Sequence, residues 1–227
     1  MKITDISGPI YDGMWNYSEP LGSLLGNFKR DSLSFEFSGE KYTLDVFQGF
    51  KAQTGTYLES PGQYIQGNNY KVSDIPVEKL FMIDAYILNI PYENLGEKDG
   101  KRFVSFQDIK NGEKKPIPSG AAILIGTGYG KFWERKDFFS KSWFFKREAM
   151  DYITEKKPFL LGTDSAEWEN PKNPEGIFAK FYPANILILA PCINLEKIES
   201  FNAKLIVLPF KALNSYICPA RAVIVQD

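Results

Sequence analysis

The segment Gly120-Ala-Ala-Ile-Leu-Ile-Gly126 is a short, continuous apolar run bounded by glycines. A run of this length without polar alternation is typical of a strand that is buried on both faces of a sheet. Comparable apolar runs occur later in the chain, at residues 159–162, 185–190, 204–209 and 221–225. The second half of the chain therefore predicts a sheet with a buried centre.

The first half of the chain also favours strands. Residues 2–6, 42–50 and 80–90 are predicted to be extended, and in Ser32-Leu-Ser-Phe-Glu-Phe37 every second residue is apolar. That alternation predicts a half-buried strand.

Few helices are predicted. Residues 146–155 show a helical pattern, and Ser73 is predicted to cap a short helix over residues 77–80. Because strands outnumber helices, we expect an α/β fold with a mixed β-sheet or an open barrel and flanking helices. No repeat or linker divides the chain, so residues 1–227 are predicted to form a single domain.

Composition excludes several partners. The 227 residues carry a net charge of -1, which provides no broad field to attract nucleic acid or an anionic membrane. No apolar run approaches the ~20 residues of a membrane span, and the start Met-Lys-Ile-Thr-Asp-Ile is unlike a signal peptide. We therefore expect a cytoplasmic protein without nucleic-acid or membrane partners.

The chain contains no histidine. This removes the commonest metal ligand and the side chain most often used for acid/base catalysis near neutral pH. Any catalysis must use carboxylates, tyrosines, lysines, thiols or backbone dipoles. Cys192 and Cys218 form neither a CxxC nor a Cys/His pattern, and we predict buried thiols rather than a zinc site, a disulfide or a nucleophile.

Three segments, one rich in glycine and two rich in aromatic and basic residues, have competing interpretations. Gly126-Thr-Gly-Tyr-Gly130 follows a strand but lacks the spacing of a nucleotide-binding loop, so a turn at the end of the strand is predicted. Residues 131–136 and 141–147 interleave aromatic and basic side chains, as single-strand nucleic-acid sites do. With a slightly acidic chain, we favour a packed aromatic flap.

The segment Gln53-Thr-Gly-Thr-Tyr-Leu-Glu-Ser-Pro-Gly-Gln63 carries a more specific pattern. It resembles HTGTHxDxPxH, the hallmark of the cyclase family of kynurenine formamidase-like metal hydrolases. Asp5-Ile-Ser-Gly-Pro-Ile-Tyr-Asp-Gly-Met14 resembles the family's DLSxPLYDGM opening, and Leu208-Pro-Phe-Lys211 resembles its LPLK segment. These matches follow the family's order along nearly the whole chain.

The resemblance implies a fold and a divalent metal site, but the metal-site positions have changed. In the family, the first two histidines and the aspartate bind the metal, and the last histidine acts in acid/base chemistry. Those four positions are Gln53, Tyr57, Glu59 and Gln63 here. Ala190-Pro-Cys-Ile-Asn-Leu195 resembles the family's ENLxNL motif, which puts Ala190 in place of a glutamate ligand and Phe178 in place of a histidine.

No ligand set for a family-type metal remains, because glutamine amides and a neutral phenol are poor replacements for imidazole and carboxylate. We therefore predict no metal and no cofactor. If the fold is kept, one polar pocket holds the four changed positions. Desolvation would raise the pKa of Glu59 and make it a general acid or base, with Tyr57 as a phenolic donor.

Four further residues are predicted to bind the ligand: Gln53, Gln63, Thr56 and Trp15. Core packing is the competing role for Trp15 and for the other tryptophans. Asp164, near the family's pocket by resemblance, is predicted to be a structural turn carboxylate.

Three hypotheses of function follow. The first is a divergent cyclase-family protein that binds a small organic ligand, aromatic or an amide or lactone, with metal-independent catalysis by Glu59 and Tyr57 or with binding alone. The second is a metal-dependent amide or lactone hydrolase, arylformamidase-like, with a relocated metal site. The third is a non-catalytic structural or regulatory homologue. The resemblance also implies a homodimer or a larger homo-oligomer.

Overall fold

The computed structural model describes residues 1–17, 26–65, 68–199 and 201–226. A closed barrel of seven strands forms its centre, and a hairpin, a small sheet and short helices surround the barrel. The strands are, in chain order, β1 (Lys2–Asp5), β2 (Lys29–Phe37), β3 (Glu40–Gln48), β4 (Tyr57–Glu59), β5 (Ile83–Asn89), β6 (Gly96–Lys98), β7 (Lys101–Val104), β8 (Ala122–Gly126), β9 (Phe144–Phe145), β10 (Leu160–Thr163), β11 (Leu187–Ala190), β12 (Asn202–Pro209) and β13 (Ile217–Gln226).

The barrel closes through its longest strand, β13. One edge of β13 pairs with β12, and the other edge pairs first with β4 and then with β1. The order around the ring is β13, β12, β5, β8, β10, β11, β4 and back to β13. The pairs between β5, β8, β10 and β11 are parallel and the other pairs in the ring are antiparallel. The predicted α/β class with a mixed sheet is confirmed, and the barrel is closed rather than open.

Residues on the strands alternate between two apolar cores, because successive side chains of a strand point to opposite faces. One core takes buried residues from all seven barrel strands, such as Leu58, Leu124 and Leu189, and fills the barrel. The other core includes Tyr57 and Ile125 and lies between the outer face of the barrel and the surrounding helices. Both faces are buried, which explains the continuous apolar runs in the sequence.

Four short α-helices lie in the described part of the chain. They are α1 (Phe106–Gly112), α2 (Phe138–Lys141), α3 (Arg147–Glu155) and α4 (Phe178–Phe181). The predicted helix over residues 146–155 is confirmed as α3, which buries Ala149, Met150 and Ile153 against the outer core. No helix among the described residues is long and apolar enough to cross a membrane.

The strands β2 and β3 form a hairpin that pairs only with itself, from Lys29 opposite Gln48 to Phe37 opposite Glu40. The strand predicted over residues 32–37 is present, but the prediction that it is half-buried is wrong. Leu33 is 57% exposed and Phe37 is 66% exposed. Alternation identifies an apolar face, but it does not specify that the same chain covers that face.

Helix starts were the least accurate predictions. Ser73 does not cap the turn at Val77–Leu80; this 3₁₀ turn follows Pro76, and Ser73 lies within an earlier 3₁₀ turn, Val72–Asp74. The helix α1 was not predicted, although Ser105 and Asp108 form a capping box at its start.

The other local predictions agree with the structure. Gly126 ends β8, and Gly128 follows in a left-handed conformation (φ 80°), so the glycine-rich segment is a turn at the end of a strand. The aromatic flap packs inward, since Trp133 and Trp143 are buried. Both cysteines are free and buried.

Candidate functional site

The candidate site lies on the outer face of β4, a strand of only three residues. Leu58 points into the barrel, so Tyr57 and Glu59 share the opposite face. Pairing places Ala190 and Pro219 opposite Tyr57, and Ile188 and Ile217 opposite Glu59. A polar pair is thus fixed on both sides by backbone hydrogen bonds.

A pocket of about 290 Å³ opens over this face. It contains the four changed positions of the motif together with Phe178, which the cyclase resemblance aligns with a histidine ligand. Ala190, aligned with the glutamate ligand, is buried on β11 opposite Tyr57 and is not part of the pocket lining. The residues that line the pocket are Gln53, Tyr57, Glu59, Gln63, Phe139, Ala166, Glu167, Trp168, Glu169, Phe178, Tyr182 and Ile188.

Glu59 is the most deeply buried carboxylate of the pocket, with 4% of its surface exposed. The hydroxyl of Tyr182 donates a hydrogen bond to Oε1 of Glu59 at 2.7 Å. Burial raises the pKa of Glu59 to about 7, although the bond from Tyr182 acts in the opposite direction. Near neutral pH the side chain therefore exists as acid and as carboxylate in comparable amounts.

Tyr57 belongs to a chain of phenols. The hydroxyl of Tyr17 donates to the hydroxyl of Tyr57 at 2.9 Å, which leaves the proton of Tyr57 free to be donated onward. Burial raises the pKa of Tyr57 well above its ordinary value, and the negative charge of Glu59 raises it further. Tyr57 is therefore a neutral hydrogen-bond donor throughout the physiological pH range.

Tyr182 was not predicted from the sequence, although it holds Glu59 in place. It directly follows α4, four positions after Phe178, and its ring stacks on those of Phe178 (4.8 Å between centroids) and Tyr64 (4.7 Å). The one available signal was this spacing, because residues four apart lie on one face of a helix. No local motif links residues 59 and 182.

Gln53 and Gln63 are among the residues that line the pocket. Neither side chain makes a hydrogen bond with any other residue that the structure describes. Each amide offers a donor and an acceptor to a ligand. These two predicted binding residues are therefore brought together with Glu59 and Tyr57.

Thr56 and Trp15, the other two predicted binding residues, lie outside this pocket. The hydroxyl of Thr56 accepts from the backbone N–H of Gly8 at 2.9 Å and donates to the carbonyl oxygen of Pro191 at 2.6 Å. Trp15 packs in the outer core against Trp133 and Phe138. Thr56 links three chain segments, and Trp15 contributes to the core.

The unchanged residues of the motif have structural contacts. Gly55 has a φ of +75°, and a Cβ atom there would lie 2.9 Å from Cγ1 of Ile10. Ser60 donates to the carbonyl oxygen of Tyr70 at 2.5 Å. The unchanged residues of the motif therefore fix the chain on either side of β4, whereas the changed residues face the pocket.

Two further carboxylates line the pocket and were not predicted. Glu167 forms an ion pair with Lys101, and Glu169 accepts the backbone N–H groups of Gly176 and Ile177. The indole of Trp168 lies between them in sequence and in the pocket wall. These residues come from the segment after β10, which carries no recognisable motif.

Asp164, just beyond β10, is fully buried outside this pocket. Its carboxylate accepts from the N–H and the hydroxyl of Thr127, the N–H of Tyr129 and the indole N–H of Trp143, at 2.8–3.0 Å. Burial raises its pKa to about 6, and these bonds oppose the shift. The carboxylate fixes the turn after β8, in agreement with the predicted structural role.

The side chains of the pocket do not suit the divalent ion that the cyclase resemblance implies. Among the described residues, no group of three or more Cys, Asp or Glu is arranged to hold a metal ion, and the chain has no histidine. Of the aligned positions only Glu59 offers a carboxylate, and Tyr182 already occupies one of its oxygens. One carboxylate, two amides and a neutral phenol form a weak donor set for Zn²⁺ or Mn²⁺.

Several solved structures share the fold. Isatin hydrolase A from Labrenzia aggregata, bound to benzyl benzoate, has a TM-score of 0.81 at 18% identity, covering 100% of this chain and 94% of that one. Isatin hydrolase A from Ralstonia solanacearum has a TM-score of 0.80 at 16% identity, covering 100% and 92%. A "potential metal-dependent hydrolase with cyclase activity" has a TM-score of 0.76 at 18% identity, covering 100% and 99%. At sequence identities of 16–18%, these similarities show a common fold.

No curated protein sequence is significantly similar to the chain. The model of the Cyclase family, whose description is "Putative cyclase", matches residues 4–170. This range spans most of the chain and contains the motif at residues 53–63, the strand β4 and the carboxylates of the pocket wall. The chain therefore belongs to the Cyclase family.

Proposed function

We propose that this protein binds a small organic molecule in the pocket around Glu59 and transfers a proton to or from it without a catalytic metal. Glu59 is the general acid or base, and Tyr57 is the hydrogen-bond donor. Gln53 and Gln63 orient polar groups of the ligand.

The bonding of Glu59 carries this proposal. Its Oε1 accepts from Tyr182, whereas Oε2 accepts no hydrogen bond from the described residues. Oε2 is not among the described side-chain atoms that are both buried and unpartnered, so it is open to the pocket, where a ligand or water can complete its bonding. A pKa of about 7 also suits a group that must both accept and release a proton near neutral pH.

The pocket walls support a ligand with one aromatic ring. Tyr57, Phe139, Trp168, Phe178 and Tyr182 line a volume of about 290 Å³, which is at the small end of ligand pockets. The isatin hydrolase structure with benzyl benzoate shows an aromatic compound on this fold. Cyclisation, dehydration or isomerisation of such a molecule requires proton transfer, which the pair of Glu59 and Tyr57 can provide.

The test is a comparison of wild type with Glu59→Gln, using metal content and turnover together. The protein is dialysed and then offered Zn²⁺ or Mn²⁺, and bound metal is measured by elemental analysis. We expect well below one equivalent of metal, and loss of any turnover in Glu59→Gln. Glu169→Gln, which removes a partly exposed carboxylate of the same pocket, is the matched control and should retain turnover.

The competing function is a metal-dependent amide or lactone hydrolase with a relocated site. The names of the similar structures favour it, and isatin is the direct probe. Stoichiometric Mn²⁺ or Zn²⁺, together with isatin hydrolysis that a chelator abolishes, would replace our proposal. Metal-independent turnover would support our proposal, whereas ligand binding without turnover would support the ligand pocket and contradict the proton transfer.

We also propose that the protein forms a homodimer through the hairpin of β2 and β3. A two-stranded hairpin is marginal in water, and this one exposes an apolar face that includes Leu33, Phe35 and Leu44. A groove of about 860 Å³ lies between the base of the hairpin and the barrel, lined by Phe47, Phe50 and Phe210 among others. Hairpin and groove on one chain permit a reciprocal two-fold contact.

Light scattering of the purified protein tests this assembly. We expect a dimer for wild type and a monomer for the double variant Leu33→Ser, Phe35→Ser. Ser34→Thr, which changes a neighbouring polar position of the same strand, should remain dimeric. A monomeric wild type would contradict the homodimer, and copurification of a different chain would favour the regulatory hypothesis.

A further inference from the structure

One carboxylate of the pocket, that of Glu59, is buried and has no positively charged partner among the described residues. Among the lining residues there are three carboxylates and no lysine or arginine. Glu167 is neutralised by Lys101, and Glu169 accepts two backbone N–H groups. Glu59 alone receives a single hydrogen bond from a neutral phenol.

The ligand must therefore supply the positive charge that the protein does not place beside Glu59. An anionic ligand would be repelled by the carboxylates, and a neutral ligand would leave the charge of Glu59 uncompensated whenever it ionises. A simple metal cation lacks a ligand set among the described residues. An ammonium group needs only one carboxylate and nearby acceptors, and aromatic walls favour cations through their π electrons.

We propose that the ligand of this pocket is an organic cation, a protonated amine carried by a single aromatic ring. The inference rests on the proposed function and names the substrate class of the same site. The ammonium group donates to Oε2 of Glu59, and the amide oxygens of Gln53 and Gln63 can accept its remaining protons. The ring packs among the aromatic side chains of the wall.

Three probes of one size separate charge from shape: benzylamine, benzyl alcohol and benzoate. Their binding is measured by calorimetry with the full-length protein at pH 8, where Glu59 is ionised and benzylamine is protonated. We expect benzylamine to bind about 10- to 100-fold more tightly than benzyl alcohol, because its ammonium group forms a charge-assisted hydrogen bond with Glu59 in a site shielded from water. Benzoate should bind most weakly.

Two variants test whether Glu59 causes the preference for benzylamine. Glu59→Gln should bring the affinities for benzylamine and benzyl alcohol within about 3-fold of each other, because the charged partner is removed. Glu169→Gln makes the same change in the same pocket at a carboxylate that is partly exposed to water and accepts two backbone N–H groups on Oε1, and should retain the preference. Loss of preference in both variants would contradict the assignment to Glu59.

The outcomes distinguish this inference from the proposed function. If benzyl alcohol or benzoate binds wild type as tightly as benzylamine does, the cationic ligand is wrong but the pocket still binds aromatic molecules. If none of the three binds at millimolar concentration, both the cationic ligand and the ligand pocket around Glu59 are wrong. Preference for benzylamine that disappears only in Glu59→Gln supports both.

Discussion

Asp164 and Glu59 are both buried carboxylates, but the protein surrounds them differently. Asp164 accepts four hydrogen bonds from the turn after β8 and from Trp143. Glu59 accepts one, from Tyr182, and faces a pocket. Burial raises the pKa of both, to about 6 and about 7. A fully bonded carboxylate holds a fold together, whereas an under-bonded one costs stability and remains available for a ligand.

The largest expected effect is at Asp164. In Asp164→Ala the two donors of Thr127 and the N–H groups of Tyr129 and Trp143 lose their acceptor in a buried site. We expect the free energy of unfolding to fall by about 4 kcal/mol, measured by urea denaturation at pH 7. Asp84→Ala, an exposed carboxylate paired with Lys204, is the control and should cost less than about 1 kcal/mol. An equal loss of unfolding free energy in Asp164→Ala and Asp84→Ala would show that the four hydrogen bonds of Asp164 do not hold the fold together.

Glu59→Gln should stabilise the protein at high pH. Folding raises the pKa of Glu59 from 4.5 to about 7, so its protonated form is favoured in the folded state. That contribution is fully present below about pH 4.5 and is lost as the pH rises through 7. The variant should match wild type near pH 4.5 and exceed it by about 3 kcal/mol at pH 8, by urea denaturation at both values.

Glutamine has the shape of the protonated acid and can still accept from Tyr182, which makes it the suitable replacement. Asp164 titrates in a similar pH range, but it is present in wild type and in Glu59→Gln. Its contribution therefore cancels in the difference between their unfolding free energies. A variant that is less stable than wild type at pH 8 would show that Glu59 is a structural carboxylate like Asp164.

Tyr182→Phe should have the smallest effect on stability and a specific effect on titration. Loss of the hydrogen bond to Glu59 should cost about 1 kcal/mol. Because that bond lowers the pKa of Glu59, its removal should raise the pKa further above 7. Carboxyl NMR of ¹³C-labelled protein across the titration measures this shift directly.

Tyr64→Phe provides the matched control. Tyr64 stacks on the same ring of Tyr182, but its hydroxyl makes no hydrogen bond with the described residues. The pKa of Glu59 should be unchanged in this variant. An equal shift in both variants would show that ring packing, and not the hydroxyl of Tyr182, controls the titration.

Much of the barrel was predictable because its strands are buried on both faces. The runs at 120–126, 159–162 and 204–209 coincide with β8, β10 and β12 to within two residues. Closure was not predictable. It depends on β4, three residues long, which joins β11 to β13. So short a strand has no periodicity that distinguishes it from a loop.

The hairpin of β2 and β3 shows a second limit of prediction from sequence: the strand is predictable, but its burial is not. Its alternation predicted the strand β2 correctly and its burial wrongly, since Leu33 and Phe37 are exposed. Local sequence specifies which residues share a face of a strand. Whether anything covers that face depends on distant segments or on another chain.

The sequence by itself determined six of the seven barrel strands, the family and the residues that stand at the family's metal positions. The apolar runs require burial on two faces, and the motif at residues 53–63 is local. Only the tertiary structure decided that Gln53, Tyr57, Glu59 and Gln63 share a pocket with Trp168 and Tyr182. It also decided that Asp164 has four donors and Glu59 one. Hydrogen bonds and desolvation join residues far apart in the chain, and these contacts set the pKa of each carboxylate.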